Sequence, residues 1–291
     1  VSVNGLVVID KEAGWTSHDV VARCRRIFGQ RRVGHAGTLD PDATGVLLVG
    51  LGRATRLMRF LTALRKTYVA DIVLGTATST LDASGDITGT YDMSSVTPAQ
   101  VQAAALTLVG DIEQVPPMVS AIKIGGRRLH ELARQGIEVD RPPRPVSVYR
   151  FDIAPDPERP LVYRAEVECS SGTYIRVLAQ DVGMALGGGA HIGMLRRTRI
   201  GSFGQEEMRP LELVGPEAVL TPAQAMRHLD FVTVTPEMAA VIGTGLPLDR
   251  VPIGAVGDGP WAMLNERGDL LAVYEATGTD RIKPVVVLAN D

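Results

Sequence analysis

Two cysteines in 291 residues are too few for a disulfide framework, and Cys24 and Cys169 both fall in apolar-periodic segments where a small buried thiol is expected. No apolar run near the N-terminus can span a bilayer, because Val46 to Leu51 is short and sits among Gly45, Gly50 and Gly52. Val1 to Gly5 holds no basic stretch leading into an apolar one, so a secretory signal is not expected and a reducing cytoplasm is. A net charge of −3 argues against binding nucleic acid by bulk attraction. Strands and helices do not alternate as steady βαβ units, which disfavours a parallel doubly wound sheet. No internal repeat or low-complexity tract stands out.

What the chain does have is apolar content, 45% of its residues, enough over this length to bury one large core and one small one. The expected fold is α+β: a mixed, largely antiparallel sheet with flanking helices over residues 1–229, then a small β-rich domain over residues 230–291. Gly5 to Asp10 reads as a buried strand, and Ser17 as the cap of a helix that Gly29 stops, with Val20, Val21, Cys24, Ile27 and Phe28 on one face. Tyr68 to Leu74 and Leu161 to Cys169 alternate as half-buried strands do. Thr97-Pro98 opens a helix expected to reach Val109; others are expected from Arg127 to Gln135 and after a Thr173 cap. Pro142, Pro143 and Pro145 mark a stiff extended connection, and Trp261 to Tyr274 reads as a hairpin.

Charge is unevenly spread. Residues 201–291 carry 6 Lys/Arg against 13 Asp/Glu, or −7, which leaves +4 on residues 1–200. The positive residues cluster at Arg23, Arg25, Arg26, Arg31 and Arg32, at Lys123, Arg127, Arg128, Arg134, Arg141 and Arg144, and at Arg196, Arg197 and Arg199. One such cluster is commonly a solvated helix face; three on one domain favour a polyanionic partner.

The most distinctive stretch runs from Arg32 to Leu47. Gly34, Gly37 and Gly45 permit turns and close approach, and Asp40-Pro41 restricts the chain between them. Gly34-His35-Ala36-Gly37-Thr38-Leu39-Asp40-Pro41 followed by Ala43-Thr44-Gly45 resembles the catalytic motif of the TruB-type tRNA pseudouridine synthases. Five further blocks are similar to that family in the same order. They are Val8 to Lys11 with Gly14 to Ser17, Lys66-Thr67-Tyr68, Pro116 to Lys123 with Gly126-Arg127, Ser171 to Arg176, and His191-Ile192 with Leu195 to Thr198. Ala36 and Thr38 depart from the Thr and Ala of the pattern, both by small residues.

The resemblance implies a pseudouridine synthase fold with a PUA-like C-terminal domain, and isomerisation of uridine 55 in the T arm of tRNA without cofactor, metal or guide RNA. It makes Asp40 the essential carboxylate, whether it adds to the base, attacks C1′ or removes the C2′ proton. Arg176 is the implied ion-pair partner of Asp40, and Tyr68 the platform for a flipped base, with a hydroxyl placed for proton removal at C5. Leu195 and Tyr174 form the opposing wall, His35 fills space left by extruded bases, and Asp82 supports the site. Lys11 and the arginine clusters are expected to contact phosphate. No His or Cys near His35 completes a metal-ligand set. A monomer is expected. RNA binding without chemistry would need the basic clusters but not Asp40, and glycosidic hydrolysis would need a second acid that does not stand out.

Overall fold

The computed structural model describes residues 2–120 and 122–288. In chain order the first half holds β1 (Gly5–Lys11), α1 (Ser17–Ile27), β2 (Val33–Ala36), β3 (Thr44–Leu51), α2 (Met58–Thr62), β4 (Lys66–Leu74), β5 (Thr76–Thr78), β6 (Ile87–Thr90), α3 (Pro98–Leu106) and β7 (Gly110–Gln114). Then follow β8 (Lys123–Ile124), β9 (Arg127–Arg128), α4 (Leu129–Ala133), β10 (Arg144–Pro155), β11 (Val162–Cys169), α5 (Ile175–Ala185), β12 (Ala190–Ile200) and β13 (Arg209–Pro210). The C-terminal part contains α6 (Pro222–Ala225), β14 (Asp230–Thr233), α7 (Pro236–Gly243), β15 (Leu248–Asp249), β16 (Trp261–Leu264), β17 (Leu270–Ala276) and β18 (Arg281–Val287).

The main sheet runs β13-β1-β3-β12-β4-β11-β10-β7, with β2 added to β3. All its pairings are antiparallel except β1 with β13 and β3 with β12, so it is mixed and largely antiparallel. On β1 the side chains alternate between two cores: Leu6 and Val8 join Phe60 and Met226, while Val7 and Ile9 join Val20 and Cys24 of α1. On β4, Tyr68, Ala70, Ile72 and Leu74 face α3 and α5, whose Val101, Leu178 and Val182 cover them. Fully burying one such aliphatic side chain stabilises by about 1.5–3 kcal/mol. That helix-covered face of the sheet is the one on which the functional cleft opens.

Four boundaries differ from the sequence reading, each for a local reason. Thr16, not Ser17, caps α1: its hydroxyl accepts the Asp19 N–H and the Asp19 carboxylate accepts the Thr16 N–H, at 3.1 and 3.0 Å, while Ser17 turns inward. The helix from Pro98 stops at Leu106 because Leu108 and Val109 donate back only three residues, to Ala105 and Leu106, and form turns. Arg127 and Arg128 pair with Ile124 and Lys123 as strand, so the helix expected from Arg127 is shortened to α4. The Thr173 hydroxyl donates to the Ser170 carbonyl at 3.0 Å, which leaves Tyr174 as the first residue of the α5 cap.

The second sheet, β14-β16-β17-β18-β15, begins at Asp230, and β16 and β17 form the hairpin expected around Asn265 to Asp269. Its Ala262, Leu264, Leu270, Val273 and Val286 share one core with Leu6, Leu57 and Phe60 of the main body. Arg53 and Arg56 add hydrogen bonds to the Leu288 and Val287 carbonyls, at 2.9 and 2.6 Å. The small sheet is thus packed onto the large one rather than tethered beside it. No helix among the described residues is long and apolar enough to cross a membrane.

Candidate active site

Asp40 lies in the connection between β2 and β3, where the backbone is held by three buried polar side chains from three different elements. From α1, Ser17 brackets Leu39, accepting its N–H at 2.9 Å and donating to its carbonyl at 3.2 Å. From β1, Lys11 donates to the carbonyls of Glu12, Trp15 and Pro41 at 2.9, 2.6 and 2.8 Å. From β12, Arg197 donates to Val46, Gly37 and Thr38 at 2.8, 3.2 and 3.4 Å. Gly45, with φ +99°, is required at the close approach of β3 to β12, since a Cβ there would collide with the Arg197 carbonyl.

Two sequence expectations are corrected by this arrangement. Lys11 is not a phosphate contact: only 1% of it is exposed, and its three ammonium protons are matched by three carbonyls. Burial pulls its pKa down to about 8, with Asp42 and Asp40 opposing. The cluster Arg196, Arg197 and Arg199 is not a free basic face either. Arg197 is buried, Arg196 pairs with Asp10 at 2.9 Å, and Arg199 approaches Glu206 at 4.0 Å. The cluster on and after α1 does stand exposed, at Arg23, Arg25, Arg26, Arg31 and Arg32, as do Arg127, Arg134 and Arg144; the side chains of Lys123 and Arg128 lie outside the described set.

Arg176, on the first turn of α5, reaches Asp40 with its Nε at 3.0 Å and Asp82 with an Nη at 3.5 Å. Its remaining donors go to the carbonyls of Thr80 at 2.7 Å and Val119 at 2.8 Å, and only 3% of its side chain is exposed, against 39% for Asp40. The cation is therefore fixed on three sides and offers its fourth to a carboxylate at the mouth of the cleft. Burial pushes the Asp40 pKa up, the Arg176 charge draws it down, and Asp82 pushes it up again. Asp82 is itself held: it accepts the hydroxyls of Thr80 and Ser84, both at 2.6 Å, and the Ser84 N–H at 3.1 Å. Leu81, just before it, sits at φ +65°, a left-handed conformation that costs a branched residue about 1–2 kcal/mol. The strain is offset by hydrogen bonds from Ile192 to Leu81 and from Ala83 to Ile192, at 3.0 and 2.9 Å.

A cleft of about 440 Å³ opens beside Asp40 and is lined by His35, Tyr68, Tyr174, Arg176 and Leu195. A second cavity of about 400 Å³ lies on the other side of the same carboxylate, with Asp82, Ser84 and again Arg176 and Leu195. Tyr68 is nearly buried; burial raises its phenol pKa, while a hydrogen bond and the charge of Arg197 work against the rise. Tyr174 is raised by burial too, with Ser120 and the charge of Arg176 opposing this. His35 meets His18 edge to face, centroids 5.5 Å apart, and burial draws its pKa to about 4 with help from His18 and Arg197. The ring is neutral near pH 7. Seven of the eight sequence-selected residues thus meet around two joined cavities, and the eighth, Lys11, lies behind the loop.

Sequence reasoning passed over Arg197 as a positioning group, along with Ser17, Lys66 and Gln114. Lys66 is buried against the Thr62 and Leu64 carbonyls, both at 2.8 Å. Its only sequence signal is membership of the Lys66-Thr67-Tyr68 block, since a buried cation follows no periodicity. A larger cavity, about 690 Å³, crosses the reverse face of the sheet at Thr67 and Val69 and holds none of the selected residues; Arg150 and Glu166 pair with each other there. Among the described residues no three His, Cys, Asp or Glu side chains are grouped as metal ligands.

Comparison with known proteins places the same residues in a family context. Residues 25–175 match the model of the TruB family pseudouridylate synthase N-terminal domain, and residues 176–229 that of the tRNA pseudouridylate synthase B C-terminal domain. The chain is 46% identical over 295 residues to tRNA pseudouridine synthase B of Mycobacterium sp. (strain KMS), covering 98% of this chain and 96% of that one. It is 44% identical over 303 residues to the protein of the same name from Arthrobacter sp. (strain FB24), covering 99% and 97%. Among solved structures it resembles a chain of a Cbf5-Nop10-Gar1 complex, with TM-score 0.74, 28% identity and coverage of 97% and 83%. A chain of an H/ACA ribonucleoprotein bound to a substrate RNA containing 2′-deoxyuridine matches with TM-score 0.73, 26% identity and coverage of 98% and 85%.

Proposed function

From the premise that this chain belongs to the TruB family of pseudouridylate synthases and isomerises uridine to pseudouridine in tRNA, we propose that its target is uridine 55 in the T arm and its catalyst Asp40. The reaction breaks the N1–C1′ bond, turns the base and rejoins it through C5, which then loses its proton while N1 gains one. Composition is unchanged, so the reaction balances without an oxidant, a reductant or a cofactor.

A stacked uridine is out of reach of a carboxylate set in a cleft, so the nucleotide leaves its helix and enters between Tyr68 on one side and Leu195 with Tyr174 on the other. Asp40 then faces the sugar–base junction and acts at C6, C1′ or C2′ as an ionised group. Arg176 keeps it ionised in a site that otherwise favours the neutral acid, and Asp82 holds Arg176 from behind. The Tyr68 phenol takes part in removing the C5 proton. His35, neutral and lining the cleft, fills the space the extruded base vacates. The exposed arginines of α1 and of the segment between β7 and β10 carry the RNA phosphates, and the enzyme works as a monomer, in the cytoplasm, without a guide RNA.

The observation that carries this reading is the 3.0 Å contact of Arg176 with Asp40 where two cavities join. Tritium release from C5-labelled uridine in an unmodified tRNA transcript tests it. Asp40→Asn is expected to abolish release while retaining most of the RNA affinity. Release by that variant at the wild-type rate would refute the assignment, and abasic sites in the RNA would indicate hydrolysis instead.

A further inference from the structure

Gln114, the last residue of β7, is a polar side chain only 2% exposed. A buried amide is tolerated when both its ends are bonded. Here both ends go to one residue: Oε1 accepts the Tyr174 N–H at 2.9 Å and Nε2 donates to the Tyr174 carbonyl at 3.3 Å. The backbone donor and acceptor fix which way the amide faces. Tyr174 is the N-cap of α5 and its side chain makes no capping bond, so Gln114, from 60 residues away, anchors the cap residue itself through its backbone.

The rest of the loop ahead of α5 is fastened in the same manner. Ser170 pairs with Ser147 of β10, its N–H donating to the Ser147 carbonyl at 2.8 Å and its hydroxyl accepting the Ser147 N–H at 2.9 Å. Ser171, Gly172 and Thr173 therefore hang between two pins on neighbouring strands, and Gly172 turns at φ +90°. Past Gln114 the chain runs to Val119, whose carbonyl accepts from Arg176, and to Ser120, which lines the cleft together with Tyr174. Gln114 and Arg144 also form the last register pair of β7 and β10, so residues 115–143 leave and rejoin the sheet at this point.

We propose that Gln114 is a positioning residue of the isomerisation: its paired hydrogen bonds to the Tyr174 backbone fix where α5 begins, and with that the approach of Arg176 to Asp40 and of Tyr174 to the cleft. The inference rests on the roles given above to Asp40 and Arg176. Gln114 touches no reacting atom. It acts by setting the first helical turn, on which a small displacement of the guanidinium loosens its contact with Asp40.

The test is single-turnover pseudouridine formation across pH at saturating tRNA transcript, with affinity measured by filter binding. Gln114→Met keeps the volume and removes both bonds. It is expected to slow the reaction about 10- to 100-fold with affinity nearly unchanged. Its acid limb is expected to move to higher pH, because the groups facing Asp40 are Arg176 from α5, Asp82, Lys11 from β1 and the phenols of Tyr68 and Tyr174, and only the hold of Arg176 has weakened. Gln114→Glu keeps the acceptor for the Tyr174 N–H and donates to the carbonyl only when protonated, so its rate relative to Gln114→Met is expected to rise as pH falls. A wild-type rate for Gln114→Met, or a slowed rate with an unmoved acid limb, would overturn the proposal. Asp40→Asn run alongside separates the failures: activity in that variant sinks the reading of the site, whereas an inactive Asp40→Asn beside a normal Gln114→Met sinks only the positioning role.

Discussion

Replacing Arg176 by methionine removes a cation that has four partners and almost no contact with water. Two of them, the Thr80 and Val119 carbonyls, lose charge-assisted hydrogen bonds, each worth about 1.5–3 kcal/mol in a protein interior. Two are carboxylates, Asp40 and Asp82, which are left without the charge that separates them. Breaking one side of a buried pair costs about 3–5 kcal/mol, much of which the site avoids by protonating Asp40, since Asp82 keeps the Thr80 and Ser84 donors that favour its ionised form. A protonated Asp40 is neither nucleophile nor base. Loss of a preorganised electrostatic group of this kind typically costs about 10²- to 10³-fold in rate, so Arg176→Met is expected to lose at least that much in single turnover. Affinity for tRNA is expected to stay within about threefold, because a guanidinium this deeply placed cannot reach a phosphate. Arg176→Lys is expected to fall between: it restores the charge, but one ammonium cannot reach two carbonyls and a carboxylate that lie against three different nitrogens. In both variants the acid limb of the rate profile is expected at higher pH, since the cation that lowers the Asp40 pKa has gone or moved. Equal losses of rate and affinity, or a limb that stays in place, would show that Arg176 binds RNA and does not serve Asp40.

Lys11→Met is expected to lower the stability of the fold by about 3 kcal/mol in urea unfolding, by taking a buried charged donor from the Glu12, Trp15 and Pro41 carbonyls, of which Pro41 keeps the Gly14 N–H at 3.0 Å. Its salt dependence of tRNA binding is expected to match wild type, whereas loss of a phosphate contact would reduce the log–log slope by about 0.7–0.9. His35 has a folded pKa drawn from 6.5 to about 4, so between those values the unfolded chain takes up a proton that the folded chain refuses. Stability is therefore expected to fall as pH drops through that window, less so in His35→Asn, and a His35 NMR titration with a midpoint above 6 would contradict the neutral ring.

The residues legible in the sequence are those whose type is itself the chemistry. An aspartate between turn-forming glycines, a tyrosine in a strand and an arginine beside a Ser-Gly-Thr turn are recognisable by order, and α5, β4 and the β2–β3 loop do bring them together. The main sheet was legible for a related reason, because β4 and β11 alternate buried and half-buried residues in the two-residue period that strands impose. What was not legible is the reversal of charge and burial at Lys11, Lys66 and Arg197. In composition each is a candidate for solvent or phosphate, yet all three are buried and donate mainly to main-chain carbonyls. Their partners are backbone atoms, local for Lys66 and mostly distant for Arg197, which have no side-chain signature to detect.

That choice of partner bears on the chemistry. A carbonyl accepts a hydrogen bond without cancelling the donor's charge, so a loop stapled by cations keeps the staples' field. Lys11 draws the Asp40 pKa down, and Arg197 draws the Tyr68 pKa down, against burial that drives both up. Apolar staples would hold the loop equally well and leave a carboxylate in a cleft to protonate. Carboxylate partners would neutralise the cations and add charge of the wrong sign beside a polyanion. Of these three ways to fix the turn, buried cations on main-chain oxygens are the one that opposes the protonation of Asp40 while adding no negative charge to the cleft.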